Sequence, residues 1–421
     1  MDGYIGRYLH VDLGTGSVTA HSLEERDARR FIGGSGLAAR LIGEAVAAGP
    51  DPLGPANPLV FTAGPLAGTP TPTSNRFTAA ARSPLTGLWG EGDCGGRWAS
   101  ALKGAGVDAV VITGQAPHPV YLQIEGGTAQ IHDARDLWGL DTYTLDLGGP
   151  LVCIGPAGER LVRYASIMHD GRSARALGRT GLGAVMGAKR LKAVVALGDH
   201  KPSIARPQEL RAAVRAVIGS VVEGVHSFAQ LGTAGGVQNY ERLGNLPIQN
   251  WRRGSWPEGA ARITGATMAE TILTGRYHCA NCPIGCGREV EVQSGPHAGV
   301  KGGGPEYETL CSLGSLCLID DLEAIAHLNE QCNRLGLDTI SAGGVMAFCM
   351  EARERGIWAE GPAWGDADAA LDLIHRIAYR ADDTATLLGE GVRRIAEAWG
   401  GLSREFAIHV KGLELPMHEP R

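Results

Sequence analysis

Hydrophobic and polar positions follow two different patterns along the chain. The first 200 residues contain short apolar runs interrupted by glycine and proline, which is typical of β-strands separated by turns. These runs are PLVFTAGP (58–65), DAVVITG (108–114), PVYLQIEGG (119–127) and LKAVVALG (191–198). The pattern predicts a sheet-built first half.

From residue 205 the apolar period becomes helical. In residues 205–225 the apolar positions that share one helix face are Leu210, Val214, Val217 and Val221. Helical patterns recur at 320–335 and 367–398. The chain is therefore predicted to be α+β, with a β-rich domain over 1–204 and a mostly helical domain over 205–421.

Length and charge limit the number of domains and the classes of function to consider. A chain of 421 residues is long enough for two or three domains. Its net charge of −6, without a charged tail, argues against a nucleic-acid or membrane-surface footprint. No stretch has the apolar length of a signal peptide or a membrane span, so we expect a cytoplasmic protein. The sequence does not determine the oligomeric state and is compatible with a homo-oligomer.

The stretch HCANCPIGC places thiols at Cys279, Cys282 and Cys286. In a reducing compartment such a cluster indicates a metal site more than disulfides. The spacing suits a zinc ion that also uses His278, or a four-iron four-sulfur cluster with a remote fourth thiolate. Buried cysteines acting as small hydrophobes are the third alternative.

Glycine is over-represented, at 62 of 421 residues, where about 7% is usual. The stretch GGSGLAA superficially fits a dinucleotide fingerprint, but a charged, helix-like segment precedes it instead of a strand, which argues against a Rossmann domain. Two other loops place glycines before a predicted helix, and one of them contains Arg179. Exposed backbone N–H groups beside a guanidinium suit a phosphate or another anion, so these loops and Arg76 predict an anion cradle.

Several separate motifs together resemble one family. NRFTAAARSPLTG, GRTGLGAVMGAKRLKAV and CANCPIGCGR, followed by GPEYETL and LGLDTIS, are similar to the tungsten-containing aldehyde ferredoxin oxidoreductases. The resemblance runs from GRYLHVDLGTG near residue 6 to LELPMHEPR at the C-terminus.

The resemblance implies a redox enzyme that oxidises aldehydes to carboxylic acids. It implies tungsten (or molybdenum) held by the dithiolenes of two molybdopterin molecules, a magnesium ion between their phosphates, and a 4Fe-4S cluster that passes electrons to ferredoxin. The protein need not supply a ligand to the central metal, so the sequence does not select between tungsten and molybdenum.

The resemblance also assigns roles to individual residues. It places Arg76, Asp93 and Gly95 at the pterin and magnesium site, and the segment Ala176, Leu177, Gly178 and Arg179 in the phosphate cradle. It assigns Cys279, Cys282 and Cys286 to the cluster.

The resemblance also assigns roles to residues in two further stretches. Asn333, Leu337 and Asp338 match a pterin-binding motif, with Asn333 where the family has aspartate, and the predicted helix from Asp320 ends at Gly336. Glu308 matches the family's proposed acid or base beside the metal, which burial would tune toward neutrality.

The chain stops where family members continue through a third, helical domain. We therefore expect the fourth cluster cysteine to be absent from this sequence, and a separate chain to supply the missing domain. The alternative is a pterin and iron–sulfur electron-transfer module, or a truncated fragment, without oxidase activity of its own.

Overall fold

A computed structural model describes residues 1–419, and contacts divide this part of the chain into two units. The first unit comprises Met1–Leu161, Ala165–Val225 and His278–Gly285. The second comprises Val162–Tyr164, His226–Tyr277 and the described residues from Cys286 onward. The domain boundary predicted between residues 204 and 205 stays a prediction.

The first unit is built on two six-stranded sheets. Its strands β1 to β12 are Arg7–Asp12, Ser17–Ser22, Leu59–Ala63, Phe77–Arg82, Trp89–Cys94, Ala109–Thr113, Val120–Glu125, Thr128–Asp133, Leu151–Cys153, Ile167–His169, Arg175–Leu177 and Leu191–Leu197. One sheet has the order β2-β1-β6-β3-β4-β5 and the other β11-β10-β9-β12-β7-β8. The four apolar runs predicted as strands are thus confirmed as β3, β6, β7 and β12.

Helices of the first unit connect and cover these sheets. In chain order, α1 to α6 are Glu25–Phe31, Gly34–Ala47, Trp98–Gly104, Pro156–Glu159, Leu182–Ala188 and Pro207–Gly224. The predicted helix near 205–225 is confirmed as α6, which begins at Pro207, where the missing N–H costs nothing.

The core of the first unit centres on Trp98 of α3, which is fully buried. Its ring lies 5.3 Å from Phe61 of β3 and 4.8 Å from Phe77 of β4. Its indole N–H donates to the carbonyl of Val194 on β12 over 3.3 Å. One aromatic side chain therefore contacts strands of both sheets, which fixes the position of α3 and of the loop before it.

The second unit is mostly helical. Its helices α7 to α16 are His226–Leu231, Val237–Arg242, Pro257–Arg262, Gly265–Thr271, Tyr307–Thr309, Leu322–Leu335, Thr339–Glu354, Ala367–Tyr379, Asp383–Leu388 and Val392–Trp399. Its strands β13 to β17 are Leu273–Tyr277, Gly287–Glu291, Lys301–Gly303, His409–Val410 and Leu413–Glu414. A β-rich part followed by a helical part confirms the α+β class.

Aromatic packing closes the core of the second unit around α13. Phe348 of α13 is fully buried and stacks on Phe406 at 4.9 Å and on Trp399 at 5.5 Å.

Among the residues described, no helix combines the length and the hydropathy that crossing a membrane requires.

Candidate functional site

Arg76, Asp93 and Gly95 lie together at the ends of two paired strands of the first unit. The β4–β5 register puts Thr78 opposite Asp93, and the Thr78 hydroxyl donates to Asp93 Oδ1. Arg76 Nη2 donates to the Asp93 carbonyl over 3.2 Å. Both Arg76 and Asp93 are exposed, so a guanidinium and a carboxylate project side by side from this edge.

Gly95 is buried against a cysteine. A Cβ at this position would lie 2.8 Å from Cys279 Sγ, closer than van der Waals contact allows. The next residue continues the contact, because the Gly96 carbonyl accepts from Ala280 N over 3.0 Å and from Asn75 Nδ2 over 2.6 Å. The end of β5 and the start of the cysteine turn are therefore in direct contact.

The loop with Ala176, Leu177, Gly178 and Arg179 lies beside the same strand. A Cβ at Gly92 would approach Leu177 Cβ to 3.2 Å. The loop is anchored at Gly178, whose carbonyl accepts from Ser166 Oγ over 3.2 Å. Both glycine loops predicted as an anion cradle are thus neighbours in the first unit.

His169, Cys94 and Asp170 form a buried cluster that the sequence reasoning missed. His169 Nε2 lies 3.2 Å from Cys94 Sγ, and its Nδ1 lies 3.2 Å from Asp170 Oδ1. Burial lowers the pKa of His169, but the interactions with Cys94 and Asp170 outweigh it and raise the pKa to about 9. No local motif indicates this cluster, because Cys94 on β5 and His169 on β10 belong to different sheets and are distant in sequence.

The cysteine turn has a tight backbone. Cys282 N donates to the Cys279 carbonyl over 3.1 Å, and His278 Nδ1 lies 3.0 Å from the Cys282 carbonyl oxygen. Asn281 has φ 54° and Gly285 has φ 62°, so both occupy the left-handed region. The unit boundary falls just before Cys286, so Cys279 and Cys282 belong to the first unit and Cys286 to the second. In residues 1–419 no three His, Cys, Asp or Glu side chains converge as a metal site, and the cluster assignment stays a prediction.

Glu308 lies in a network at the start of α11 in the second unit. Its Oε2 accepts from Met417 N over 2.8 Å, and its Oε1 lies 3.7 Å from His418 Nε2. The preceding Tyr307 stacks on the His418 ring at 5.0 Å and donates its hydroxyl to the Met417 carbonyl over 2.7 Å. Glu306 is engaged elsewhere, because its Oε2 accepts from the Thr233 hydroxyl. The two carboxylates of GPEYE thus have different surroundings.

Asn333, Leu337 and Asp338 lie at the junction of α12 and α13 and are buried. The predicted helix end at Gly336 is confirmed, with Gly336 at φ 75° as the left-handed cap of α12. Asp338 immediately caps α13, since its Oδ1 accepts from Ile340 N over 2.9 Å. Thr309 and Thr339, the neighbours of Glu308 and Asp338, have hydroxyls 2.8 Å apart, so these two candidate stretches are adjacent.

The cradle of the first unit fits an anionic cofactor that approaches the backbone closely. Gly92 and Gly95 stand where a side chain would fill contact space, and Arg76 supplies an exposed cation. Cysteine side chains such as Cys279 and Cys282 supply the ligands that iron–sulfur clusters use.

Two family models match this chain. The model of the aldehyde ferredoxin oxidoreductase N-terminal domain matches residues 8–198, and the model of domains 2 and 3 of the same family matches residues 209–421. The chain therefore belongs to the aldehyde ferredoxin oxidoreductase family, which confirms the resemblance seen in its motifs and its class as an oxidoreductase.

Curated relatives agree with this assignment. The chain is 40% identical to the tungsten-containing aldehyde ferredoxin oxidoreductase of Thermococcus kodakarensis over 441 aligned residues, which cover 100% of this chain and 71% of the relative. Its identity to the protein of the same name from Pyrococcus furiosus is 38%, with the same coverage. It is also 29% identical to the aliphatic sulfonate oxidoreductase, WOR-like subunit, of Pyrococcus furiosus, covering 99% of this chain and 72% of the relative.

A solved structure shares the fold. This is the active site complex BamBC of benzoyl coenzyme A reductase with 1,5-dienoyl-CoA, which superposes with a TM-score of 0.87 at 27% identity. The match covers 99% of this chain and 66% of that chain. The fold is therefore found in relatives whose names describe different substrates.

Proposed function

We propose that this protein oxidises aldehydes to carboxylic acids at a tungsten centre held by pterin, with electrons leaving through a 4Fe-4S cluster to ferredoxin. The observation that carries the proposal is the match to tungsten-containing aldehyde ferredoxin oxidoreductases over the whole chain. The chemistry of the bound metal centre is to accept the two electrons released when an aldehyde and water become a carboxylic acid and two protons.

In this proposal the cradle of the first unit holds the cofactor phosphates. Arg76 and Arg179 supply positive charge, and the backbone beside Gly95 and Gly178 supplies N–H donors at close range. Asp93, an exposed carboxylate, would be a ligand of a magnesium ion, since hard cations prefer oxygen. The support is the packing of both glycine loops against one strand.

Asn333, Leu337 and Asp338 would bind pterin. Asn333 carries both a donor and an acceptor, and Asp338 offers carboxylate oxygens. Cys279, Cys282 and Cys286 would be thiolate ligands of the cluster.

Glu308 would hold or move the proton lost by water or aldehyde. Its Oε2 accepts from Met417 N and its Oε1 lies 3.7 Å from His418 Nε2, so the carboxylate is held beside an imidazole with which it could exchange a proton. The His418 ring is itself held in place, because it stacks on the ring of Tyr307 at 5.0 Å.

The test is elemental analysis of the protein, purified without oxygen, for tungsten, molybdenum, iron and zinc per chain. We expect tungsten or molybdenum with about four irons, and aldehyde-dependent reduction of a one-electron dye. Glu308→Gln should keep the metals and lower kcat by about 10²-fold or more.

Gly95→Ala tests the cradle in the same preparation. The added Cβ would press on Cys279, so iron and tungsten per chain should fall, whereas Gly64→Ala should retain both, because no atom lies within 4 Å of a Cβ there. Zinc alone, or no metal in the wild-type protein, would remove the proposal.

A further inference from the structure

Glu414 is a buried carboxylate that the proposed function does not use. It lies on β17, in the LELPMHEPR stretch, and is 2% exposed. Its Oε1 accepts from Val392 N over 2.9 Å, at the start of α16. A buried carboxylate is costly unless it is hydrogen-bonded, so this position needs an account.

Glu414 is connected to Asp338 through one hydroxyl. Ser341 Oγ lies 2.7 Å from Glu414 Oε2 and 2.8 Å from Asp338 Oδ2. Ser341 is fully buried and Asp338 is 3% exposed. Val392 N, Glu414, Ser341 and Asp338 thus form one chain of contacts, in which Ser341, with its single proton, donates to one of the two carboxyl groups and is in contact with the other.

Helix α13 is shaped to admit Glu414. Three residues after Ser341 the helix has Gly344, where a Cβ would lie 3.0 Å from Glu414 Cγ and 3.2 Å from its Cβ. Any larger residue would push the carboxylate away from Ser341. The glycine and the serine lie on the same side of the helix, because positions three apart are neighbours on a helix surface.

The two contacts of Asp338 fix its orientation. Oδ1 accepts from Ile340 N and Oδ2 faces Ser341, so the side chain is held from both oxygens. A carboxylate has about four acceptor positions, and these contacts engage one on each oxygen, which fixes the plane of the group. Ser341 has one hydroxyl proton, and its contact with Glu414 orients that hydroxyl.

We propose that Glu414, acting through Ser341, is a positioning residue that holds the carboxylate of Asp338 in the orientation required to bind the pterin ring. This inference rests on the proposed function, since it assumes that Asp338 contacts pterin. Groups that orient a ligand-binding side chain contribute to affinity although they never touch the ligand.

The test measures pterin release from the intact holoenzyme, not only its activity. Wild type, Ser341→Ala, Glu414→Ala and Glu414→Gln are diluted without oxygen, and free pterin is followed by the fluorescence of its oxidised product. Ser341→Ala and Glu414→Ala should release pterin on the order of tenfold faster than wild type. The double variant should be no faster than the single ones, since both act through one chain of contacts.

Glu414→Gln is the conservative rescue. Its amide oxygen can accept from Val392 N and its amide N–H can donate to Ser341, so release should stay within about twofold of wild type. With a merely structural role, pterin release would follow Tm across the variants, so any variant with a lower Tm would release pterin faster.

Glu351→Ala is the matched control, because Glu351 is a fully buried carboxylate on the same helix, bonded to Asn250 Nδ2 over 2.7 Å and far from Asp338 along it. It should lower Tm at least as much as Glu414→Ala and keep its pterin. Equal release from Ser341→Ala and wild type, or equal release from Glu414→Gln and Glu414→Ala, overturns the positioning role alone. Wild-type protein that contains no pterin overturns the proposed function and this inference with it.

Discussion

His169 is a buried titratable residue that lies directly beside the candidate site. Its ring is 2% exposed and bridges Cys94 on β5 and Asp170, directly beside the loop that carries Gly95. A Cβ at Gly96 would collide with the His169 ring and with Asp170. The shape of the cradle therefore depends on a histidine outside every sequence motif.

The raised pKa of His169 predicts a loss of stability in alkali. A group whose pKa is higher in the folded than in the unfolded protein contributes fully below its unfolded value, near 6.5, and loses that contribution as the pH rises through about 9. The contribution is on the order of 3 kcal/mol, from 1.4 kcal/mol per pH unit. Urea titrations from pH 6 to 10 should show the free energy of unfolding of wild type falling above pH 7.

His169→Gln is the variant that tests this assignment. It removes the titrating ring, so its free energy of unfolding should be lower than that of wild type at pH 6, and the difference between the two proteins should narrow as the pH rises from 7 to 10. Parallel pH profiles for the two proteins would show that His169 is not the group responsible.

At the scale of elements, the α12–α13 junction brings three candidate residues into one turn. Gly336 ends α12 in the left-handed region and Asp338 starts α13 two residues later, so Leu337 is the sole link between the helices. The Leu337 N–H donates back to the Cys332 carbonyl over 2.8 Å, which completes the helix cap. The path of the chain here is set by one glycine.

Gly336→Ala should therefore destabilise the protein. An L-residue in the left-handed region costs about 1 kcal/mol, and the expected decrease in the free energy of unfolding is of that size. Gly219→Ala is the control, since Gly219 lies inside the exposed helix α6 with no atom within 4 Å of a Cβ. Alanine there should stabilise the protein by up to about 1 kcal/mol. Similar changes in both variants, measured by urea denaturation, would contradict the role of Gly336.

Some elements could be predicted from local pattern and others could not. Strands such as β6 and β12 are apolar runs bounded by glycine, and α12 has a capping aspartate and a terminal glycine, so local rules suffice. Helix α13 was not predicted, because it is buried along almost its whole length and contains Gly343 and Gly344. A helix that is apolar on all sides has no amphipathic period to detect.

The candidate site was predictable only where it follows a motif. The two glycine loops and the cysteine turn carry local signals, whereas the contact between Gly95 and Cys279 in the first unit was not predicted. Glu414 and His169 have no such signal, because their partners Ser341 and Cys94 are distant in sequence. Which long-range contacts form depends on the packing of the whole unit.

At the scale of the whole molecule, residues 278–285 belong by their contacts to the first unit, although residues 226–277, which precede them in the chain, belong to the second. Asn281 is the anchor: its Nδ2 donates to the Thr69 carbonyl over 2.6 Å, and its own carbonyl accepts from Thr73 N over 3.3 Å. The turn carrying Cys279 and Cys282 is thus held by the loop before β4. Removing the Asn281 side-chain hydrogen bond should therefore lower both the free energy of unfolding and the iron content.

Substitutions at Asn281 separate the two reasons for its importance. Asn281→Gly keeps access to the left-handed φ of 54° and loses the side-chain hydrogen bond, so the free energy of unfolding should fall by about 1 kcal/mol. Asn281→Ala loses the bond and adds left-handed strain, for a total of about 2 kcal/mol. Iron per chain should fall in both, because the cysteine turn is no longer held against the loop at Thr69. If both variants lose stability as expected but keep all their iron, the anchor serves only the fold, and the cluster depends on contacts other than this one.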